Sequence, residues 1–294
     1  MKKTQSFDYD LAVIGGGPGG YTAAAKAGKA GMKTLLIEEG ELGGVCLNCG
    51  CIPTKTLLAS AKGYYQALHG SVPGASAEGV SFSMDEAQQW KSKVVETYRK
   101  AVASLMKSSG VEVLAARGSF IDRSVLAAGG RTVSARHILA ASGTKPAVLP
   151  IPGADLPHVT DSTGILELKQ VPKALAVIGG GIIGLEFACL YAQLGTEVAV
   201  IEMLPDAASH LDGDIRKSLL RALKSMKNLK IHTEAAVTEI TSTEVRFTRK
   251  GAQQSVKADT VLIAAGRRAD TESLNLPAAG IKTSKGFILV NDNM

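Results

Sequence analysis

No apolar run in the chain approaches the roughly eighteen residues that a membrane span requires, so the sequence reads as that of a protein that does not cross a bilayer. Met1-Lys2-Lys3 has the basic character of a signal-peptide start, but Asp8 and Asp10 interrupt any apolar core that could follow. A cytoplasmic protein is therefore expected, and without a secretory signal a purely structural disulfide is not. Neither sign of charge is concentrated: the formal +6 is spread along the sequence, which argues against a nucleic-acid footprint. Aromatic residues make up only 4%, whereas glycine is abundant at 32 residues, a balance that suits the tight turns and close backbone approaches of a cofactor-binding α/β protein. With 45% hydrophobic and 20% charged residues over 294 positions, the chain is long enough for two ordered domains.

Cysteine is also scarce, and its distribution is informative. Three of the four cysteines lie within six residues, in Gly43-Gly44-Val45-Cys46-Leu47-Asn48-Cys49-Gly50-Cys51-Ile52-Pro53-Thr54-Lys55. No histidine lies within a dozen residues and no second cysteine pair exists, so the pattern lacks the ligands of a structural zinc or iron–sulfur site and no metal is expected. Four residues separate Cys46 from Cys51, enough for one turn of distorted helix to bring the sulfurs to disulfide distance. Ile52, Pro53 and Thr54 look like the first turn of a helix. Its unpaired amides favour a thiolate at Cys51, and Lys55 adds a positive charge nearby. These are the surroundings of a working thiol.

The flanking chain suggests where electrons would go. Tyr9–Ile14 is a strand-like run ending in Gly15-Gly16-Gly17-Pro18-Gly19-Gly20, after which residues 23–30 read as a helix of small side chains. Gly15 permits the turn, Gly17 lets the backbone approach a pyrophosphate at the helix N-terminus, and Gly20 lets helix and strand pack closely. A second strand over 33–37 ends at Glu38, eighteen residues after Gly20, where a carboxylate can accept hydrogen bonds from a ribose. The whole unit recurs. The strand 174–178, the glycines Gly179, Gly181 and Gly184, a helix through Leu194 and a strand 197–201 lead to Glu202, again eighteen residues after the last glycine. Two fingerprints with one acidic spacing imply two dinucleotides. Glu202 favours the free 2′-hydroxyl of NAD over the 2′-phosphate of NADP, and the next arginine is as distant as Arg216.

Between the two units, 54–68 and 84–108 read as a helical hairpin, the second helix placing Val94, Tyr98, Val102 and Leu105 on one face. The segment 70–83 reads as a loop. Runs at 111–121 and 125–133 suggest a β-meander, followed by a buried strand over 136–141 that ends in Ser142-Gly143-Thr144. That turn is equally a place to touch a cofactor and an ordinary β-turn. Four prolines between Pro146 and Pro157 mark a domain boundary. Further on, 212–226 reads as a helix, 229–248 as short strands, 260–264 as a buried strand ending at Gly266, and 287–290 as a last strand. The expectation is an α/β chain with two Rossmann-like domains carrying β-meanders, over 1–149 and 150–270, and a return segment over 271–294.

Two dinucleotide folds with a reactive cysteine pair after the first acidic strand resemble the pyridine nucleotide–disulfide oxidoreductases. The wording from Gly43 to Lys55 is most similar to the dihydrolipoamide dehydrogenase branch, with Val45 and Cys49 departing from its usual Thr and Val. Leu47, Ile52 and Glu202 separate it from glutathione and mercuric reductases. The resemblance implies FAD on Gly15, Gly17, Gly20, Glu38 and the Ser142-Gly143-Thr144 turn, with Gly118 as a further contact. It implies NAD on Gly179, Gly181, Gly184 and Glu202, helped by Val237 and Gly266. Cys46 would exchange with substrate and Cys51 would face the flavin. Lys55 would lie by the flavin and pair with Glu186, whose other reading is a carboxylate placed at a helix start for the dipole. The implied activity is oxidation of dihydrolipoamide by NAD. The implied partners are the lipoyl groups of 2-oxoacid dehydrogenase or glycine cleavage complexes, and the implied assembly is a homodimer.

Two features depart from the family. Cys49 either pairs wrongly with Cys46 or Cys51 or sits as a small buried group, while Cys189 reads as core packing. Family members also continue into a Gly-Asp flavin segment and a dimerisation domain with a His/Glu base, and none of His69, His137, His158, His210 and His232 stands in that role. A truncated form is expected on that ground. The readings left open are the lipoamide enzyme, another NAD-linked disulfide or mercuric reductase, and a nucleotide-binding module with little turnover.

Overall fold

The structure, a computed structural model, describes residues 6–70 and 77–294. Residues 71–76 of the loop expected over 70–83 and the basic start at Met1-Lys2-Lys3 lie outside the described residues. The chain divides into two compact units, one made of residues 1–52, 94–145 and 267–294 and the other of 53–93 and 146–266. By this grouping 53–93 belong with the second unit, the units change between Lys145 and Pro146, and the first resumes at Arg267.

In the first unit the glycine turn connects β1 (Tyr9–Ile14) to α1 (Pro18–Lys29), which leads to β2 (Thr34–Glu38). Proline is tolerated at the helix start, where its missing N–H would have no intrahelical partner, so the helix begins five residues earlier than its run of alanines suggests. Two short helical pieces, α2 (Gly44–Cys49) and the start of α3 (Cys51–His69), carry the cysteines. The helix α4 spans Met84–Ser108. Its buried side chains include Val95, Val102 and Met106, whereas Tyr98 is 51% exposed. Of the expected stripe, Val102 is buried and Leu105 packs against the core beside α1, whereas Tyr98 lies outside the buried face.

β3 (Glu112–Ala115) runs parallel to β2, and β4 (Gly118–Phe120) pairs antiparallel with β5 (Val125–Ala128). The run expected as a single meander strand over 111–121 is therefore divided between a parallel edge and a hairpin. The ten-residue β6 (Arg131–Ala140) joins the two patterns: its start is antiparallel to β5 and the rest parallel to β1, with Ile14 opposite Ala140. The sheet order is β3-β2-β1-β6-β5-β4. Alternation along the strands sends Ala12, Ile14, Leu35 and Ile37 to one core and Val13 and Leu36 to the other, against Ala24 and Ala25 of α1. The strand β7 (Thr144–Pro146) follows.

In the second unit β8 (Val159–Thr160), β9 (Ala174–Ile178), β10 (Glu197–Ile201), β11 (Leu229–His232) and β15 (Thr260–Ile263) form a parallel sheet in the order β11-β10-β9-β15-β8. Its helices include α5 (Ile182–Gln193) and α6 (Gly213–Lys224), the latter capped by the Asp212 carboxylate, which accepts from Asp214 N–H. An antiparallel sheet of β12 (Ala235–Ile240), β13 (Glu244–Arg249) and β14 (Ala252–Lys257) buries Val245 and Phe247 with Ile178 and Ile201. Lys91 of α4, only 5% exposed, donates to the Leu166 carbonyl at 2.8 Å and to Glu167 at 2.6 Å. This buried charge is paired and hydrogen-bonded, the condition under which burial is tolerated.

The chain then returns to the first unit. β16 (Arg267–Ala269) pairs with β7, and Leu274 and Leu276 enter the core beside β1 and β2. The last strands, β17 (Thr283–Ser284) and β18 (Phe287–Ile288), form a short hairpin, so the final strand is two residues shorter than expected.

Candidate active site and nucleotide clefts

The two glycine turns are built on one plan. Gly15 N–H donates to the Ile37 carbonyl at 2.8 Å and Gly179 N–H to the Ile201 carbonyl at 2.9 Å, so each turn is fastened to the next strand. Both glycines need a positive φ, +103° and +111°. A side chain at Gly20 would collide with the Gly15 carbonyl, and one at Gly184 with the Gly179 carbonyl, so these last glycines serve close packing of helix on strand. Glu38 accepts from Gly16 N–H at 2.6 Å and from Gly40 N–H at 2.8 Å. Glu202 accepts from Gly180 N–H at 2.6 Å and from Leu204 N–H at 2.8 Å. Each carboxylate thus closes its own turn, and its remaining lone pairs are what it can offer a ribose.

The cysteine stretch starts directly on the first turn. Gly43 N–H donates to the Gly16 carbonyl at 2.8 Å, and a Cβ added at Gly44 would lie 2.6 Å from the Gly17 Cα. Cys46 and Cys49 are on α2, and Cys51 is the first residue of α3. Gly50 breaks the helix between them with φ −144° and ψ −114°. A Cβ there would stand 2.8 Å from the Val45 carbonyl oxygen and 3.3 Å from the Cys46 Cα. Only glycine lets the chain fold this closely over Cys46 just before Cys51 emerges. In this structure Cys51 is an exposed thiol, and Cys49 and Cys189 are half-buried thiols.

Lys55 Nζ is bonded to both carboxylate oxygens of Glu186, at 2.7 and 2.8 Å. The pairing suggested for these residues is therefore present in the second unit. Cys189 lies one turn further along α5 from Glu186; burial, reinforced by the Glu186 charge, pushes its thiol above the usual range. That favours a protonated, inert sulfur, in keeping with a packing role.

Two clefts gather most of the remaining residues. In the second unit a cleft of about 680 Å³ is lined by Gly179, Gly181, Glu202, Val237 and Gly266, within the roughly 300–1,000 Å³ usual for small-molecule sites. Gly184 lies beneath it in the helix–strand contact. Arg216 is not in the lining and pairs with Asp206 at 3.4 Å. In the first unit Gly15, Glu38, Gly118 and Ser142 line a smaller cleft of about 70 Å³, room for only part of a dinucleotide. Thr144 is taken up elsewhere: its hydroxyl and carbonyl oxygens accept from the Arg267 guanidinium at 2.7 and 2.6 Å. Gly143, with φ +77°, has open space where a side chain would be.

The backbone fits anionic ligands at both turns. Gly17 and Gly181 occupy the N-cap positions of α1 and α5, and neither helix start has a side-chain cap, leaving N–H groups for a pyrophosphate. Nothing lies within 4 Å of where a Gly181 side chain would be.

Sequence reasoning missed Asn48. Its amide donates to the carbonyls of Glu41, Leu42 and Gly44 at 3.1, 3.2 and 3.0 Å, and its Oδ1 accepts from Arg99 Nε at 2.6 Å. It fixes α2 from within. The available signal was an amide side chain in the middle of a glycine-flanked helix, a position where it must find backbone partners. Asp270 and Ser273 of the return segment also line the smaller cleft, and no local pattern marks them.

Residues 9–294 match the pyridine nucleotide-disulphide oxidoreductase family. The chain belongs to that family. It is 37% identical over 288 residues to the dihydrolipoyl dehydrogenase of Bacillus subtilis, covering 95% of this chain and 61% of that one. It is 39% identical over 300 residues to the mitochondrial dihydrolipoyl dehydrogenase 1 of Arabidopsis thaliana, covering 98% and 59%. Among solved structures, the HOCl-induced flavoprotein disulfide reductase RclA of Escherichia coli superposes with a TM-score of 0.81 at 32% identity, over 96% of this chain and 62% of that one. The chain thus spans about three-fifths of the length of the relatives it matches, and the family resemblance of its motifs extends over nearly all of its own length.

Proposed function

We propose that this chain carries the FAD and NAD units of a flavin-dependent disulfide oxidoreductase, whose full reaction is the oxidation of dihydrolipoamide to lipoamide with reduction of NAD. The observation that supports it most is the hydrogen bond from Gly43 N–H to the Gly16 carbonyl at 2.8 Å, because it starts the cysteine-bearing helix on the first nucleotide turn. A cofactor lying on that turn would have the thiol pair as its neighbour.

The residues would act in order. A substrate thiolate attacks Cys46 Sγ in the Cys46–Cys51 disulfide, and Cys51, at the start of α3, leaves as a thiolate. The second substrate thiolate then attacks the substrate sulfur bonded to Cys46, closing lipoamide and releasing the Cys46 thiolate. FAD, when bound, supplies the two-electron relay from this dithiol to NAD. Lys55, held by Glu186, keeps a fixed positive charge one turn along the helix from Cys51. Glu202, with Arg216 engaged by Asp206, supports NAD over NADP. Lipoyl groups of 2-oxoacid dehydrogenase or glycine cleavage complexes, a homodimer and a cytoplasmic location complete the reading. None of the described helices is long and apolar enough to cross a membrane.

A second reading, another disulfide reductase of the family, is favoured by the Escherichia coli flavoprotein disulfide reductase match. An absorption spectrum before and after one equivalent of dithiol, then NAD, tests the proposal. Bound-flavin bands that gain a long-wavelength thiolate-to-flavin band are expected. A chain that binds NAD but takes up no added FAD would reduce it to a binding module, and a full-length form that ignores lipoamide would leave the second reading.

A further inference from the structure

We propose that Cys49 is a third exchange thiol, so that Cys46 is bonded alternately to Cys51 and to Cys49. This goes beyond the proposed reaction, which uses Cys46 and Cys51 alone and to which it adds a second oxidised form.

Cys46 and Cys49 are three residues apart on the six-residue α2, which puts them on one face of the helix with Cβ atoms about 5–6 Å apart. A disulfide needs about 3.5–4.5 Å, so α2 must tighten slightly for the bond to close. Its surroundings allow this. Gly43 and Gly44 precede Cys46 with φ of +105° and +57°, and Gly50 follows Cys49, so glycine flanks the helix on both sides. Asn48 meanwhile anchors it through the carbonyls of Glu41, Leu42 and Gly44. The same fold brings Gly50 against Cys46, keeping Cys51 in the neighbourhood. Cys49 and Cys51 therefore stand on either side of Gly50 and compete for Cys46 as their partner.

The exchange is balanced without an outside oxidant. The Cys49 thiolate attacks Cys46 Sγ; the Cys46–Cys49 bond forms, the Cys46–Cys51 bond breaks, and Cys51 leaves as a thiolate that takes the proton Cys49 gave up. No net oxidation occurs. The consequence is a second oxidised isomer in which Cys46 is already bonded and Cys51 carries the free thiol.

Oxidised glutathione added to the whole chain, acid quenching, alkylation and peptide mapping test the proposal. Each disulfide closed consumes two thiols and yields two reduced glutathiones. The wild-type chain should give two populations, one alkylated at Cys51 and one at Cys49. Cys51→Ser should still close Cys46–Cys49, and the double variant Cys49→Ser/Cys51→Ser should stop at a glutathione adduct. If Cys51→Ser also stops at the adduct while Cys49→Ser closes its disulfide, this inference fails and the proposed reaction stands. The reverse result overturns the Cys46–Cys51 reading and keeps this one, and adducts in both single variants overturn both.

Discussion

Lys55 Nζ lies 2.7 and 2.8 Å from the two oxygens of Glu186, a bidentate ion pair between residues 131 positions apart in sequence. The lysine side chain is 57% exposed and the glutamate 27%, so solvent screening limits the pair to about 1 kcal/mol of stability or less. Its value to the protein would then be positional. Glu186→Gln is expected to leave the melting temperature nearly unchanged while lowering dithiol-to-NAD turnover of a full-length form on the order of tenfold. Equal turnover by wild type and variant would remove Lys55 from the machinery.

Glu202 has two duties that one substitution can separate. It accepts from the N–H groups of Gly180 and Leu204 and, in the proposed function, from a ribose. Glu202→Arg should shift preference from NADH toward NADPH in calorimetric titration. It should also cost about 1–3 kcal/mol of stability because backbone donors lose their acceptor. Glu202→Gln, which keeps one acceptor oxygen, should cost less. A Glu202→Arg chain that still prefers NADH would contradict the assignment of this carboxylate to the ribose.

The contrast between what could and could not be read in advance follows from range. The glycine turns and their acidic partners are local: Gly15, Gly20 and Glu38 lie within one strand–helix–strand passage, and each residue type answers a steric or hydrogen-bonding need of its neighbours. The same holds for Gly43 to Cys51. Tyr98 was misplaced because a helical face is decided by what packs on it, and Val95 joins the expected Val102 beside Leu47 in its place. Asn48 joins Arg99 across 51 residues, and Lys91 reaches Glu167 across 76. Nothing in the local sequence names such partners. The grouping of 53–93 with the second unit has the same origin, since it depends on contacts such as that of Lys91.

Asn48 should be the residue whose loss most disturbs the cysteine turn without touching a sulfur. Asn48→Ala removes three donated hydrogen bonds and leaves the part-buried Arg99 Nε without its acceptor. A loss of about 1–3 kcal/mol is expected, with faster alkylation of Cys46 and Cys49 than in the wild-type chain. Unchanged alkylation rates would show that the glycines alone hold α2.

Acid sensitivity should trace in part to one end of the first sheet. The Tyr9 hydroxyl donates to Glu112 at 2.6 Å, and this bond, helped by Arg131, holds the Glu112 carboxyl below its ordinary 4.5. A lowered carboxylate contributes stability above its unfolded pKa and loses it as pH falls through the folded one. Tyr9→Phe should therefore raise the Glu112 titration toward 4.5 and flatten the decline in stability below it, as read by carboxyl NMR and urea unfolding. Tyr9 itself is pushed above 10, first by burial and then by Glu112, so its own contribution is lost only as pH rises through that folded value. An unshifted Glu112 titration would show that Arg131 suffices.

Gly181 offers the cleanest separation of fold from ligand. Its φ of −73° and ψ of 178° are open to any residue, and an added methyl would meet no protein atom within 4 Å. Gly181→Ala should therefore fold, at a cost of about 1 kcal/mol because alanine is a poorer N-cap than glycine. The methyl would instead project beside the uncapped start of α5, in the cleft lined by Glu202 and Gly266, where a pyrophosphate needs close backbone approach. NADH affinity should fall by about tenfold or more, equivalent to about 1.4 kcal/mol. Gly20→Ala makes the opposite comparison: its methyl would strike the Gly15 carbonyl, so it should unfold the first unit before any effect on binding can be measured. If Gly181→Ala binds NADH as tightly as the wild-type chain, the ligand does not lie on this turn, and the case for an NAD site in the second unit fails with it.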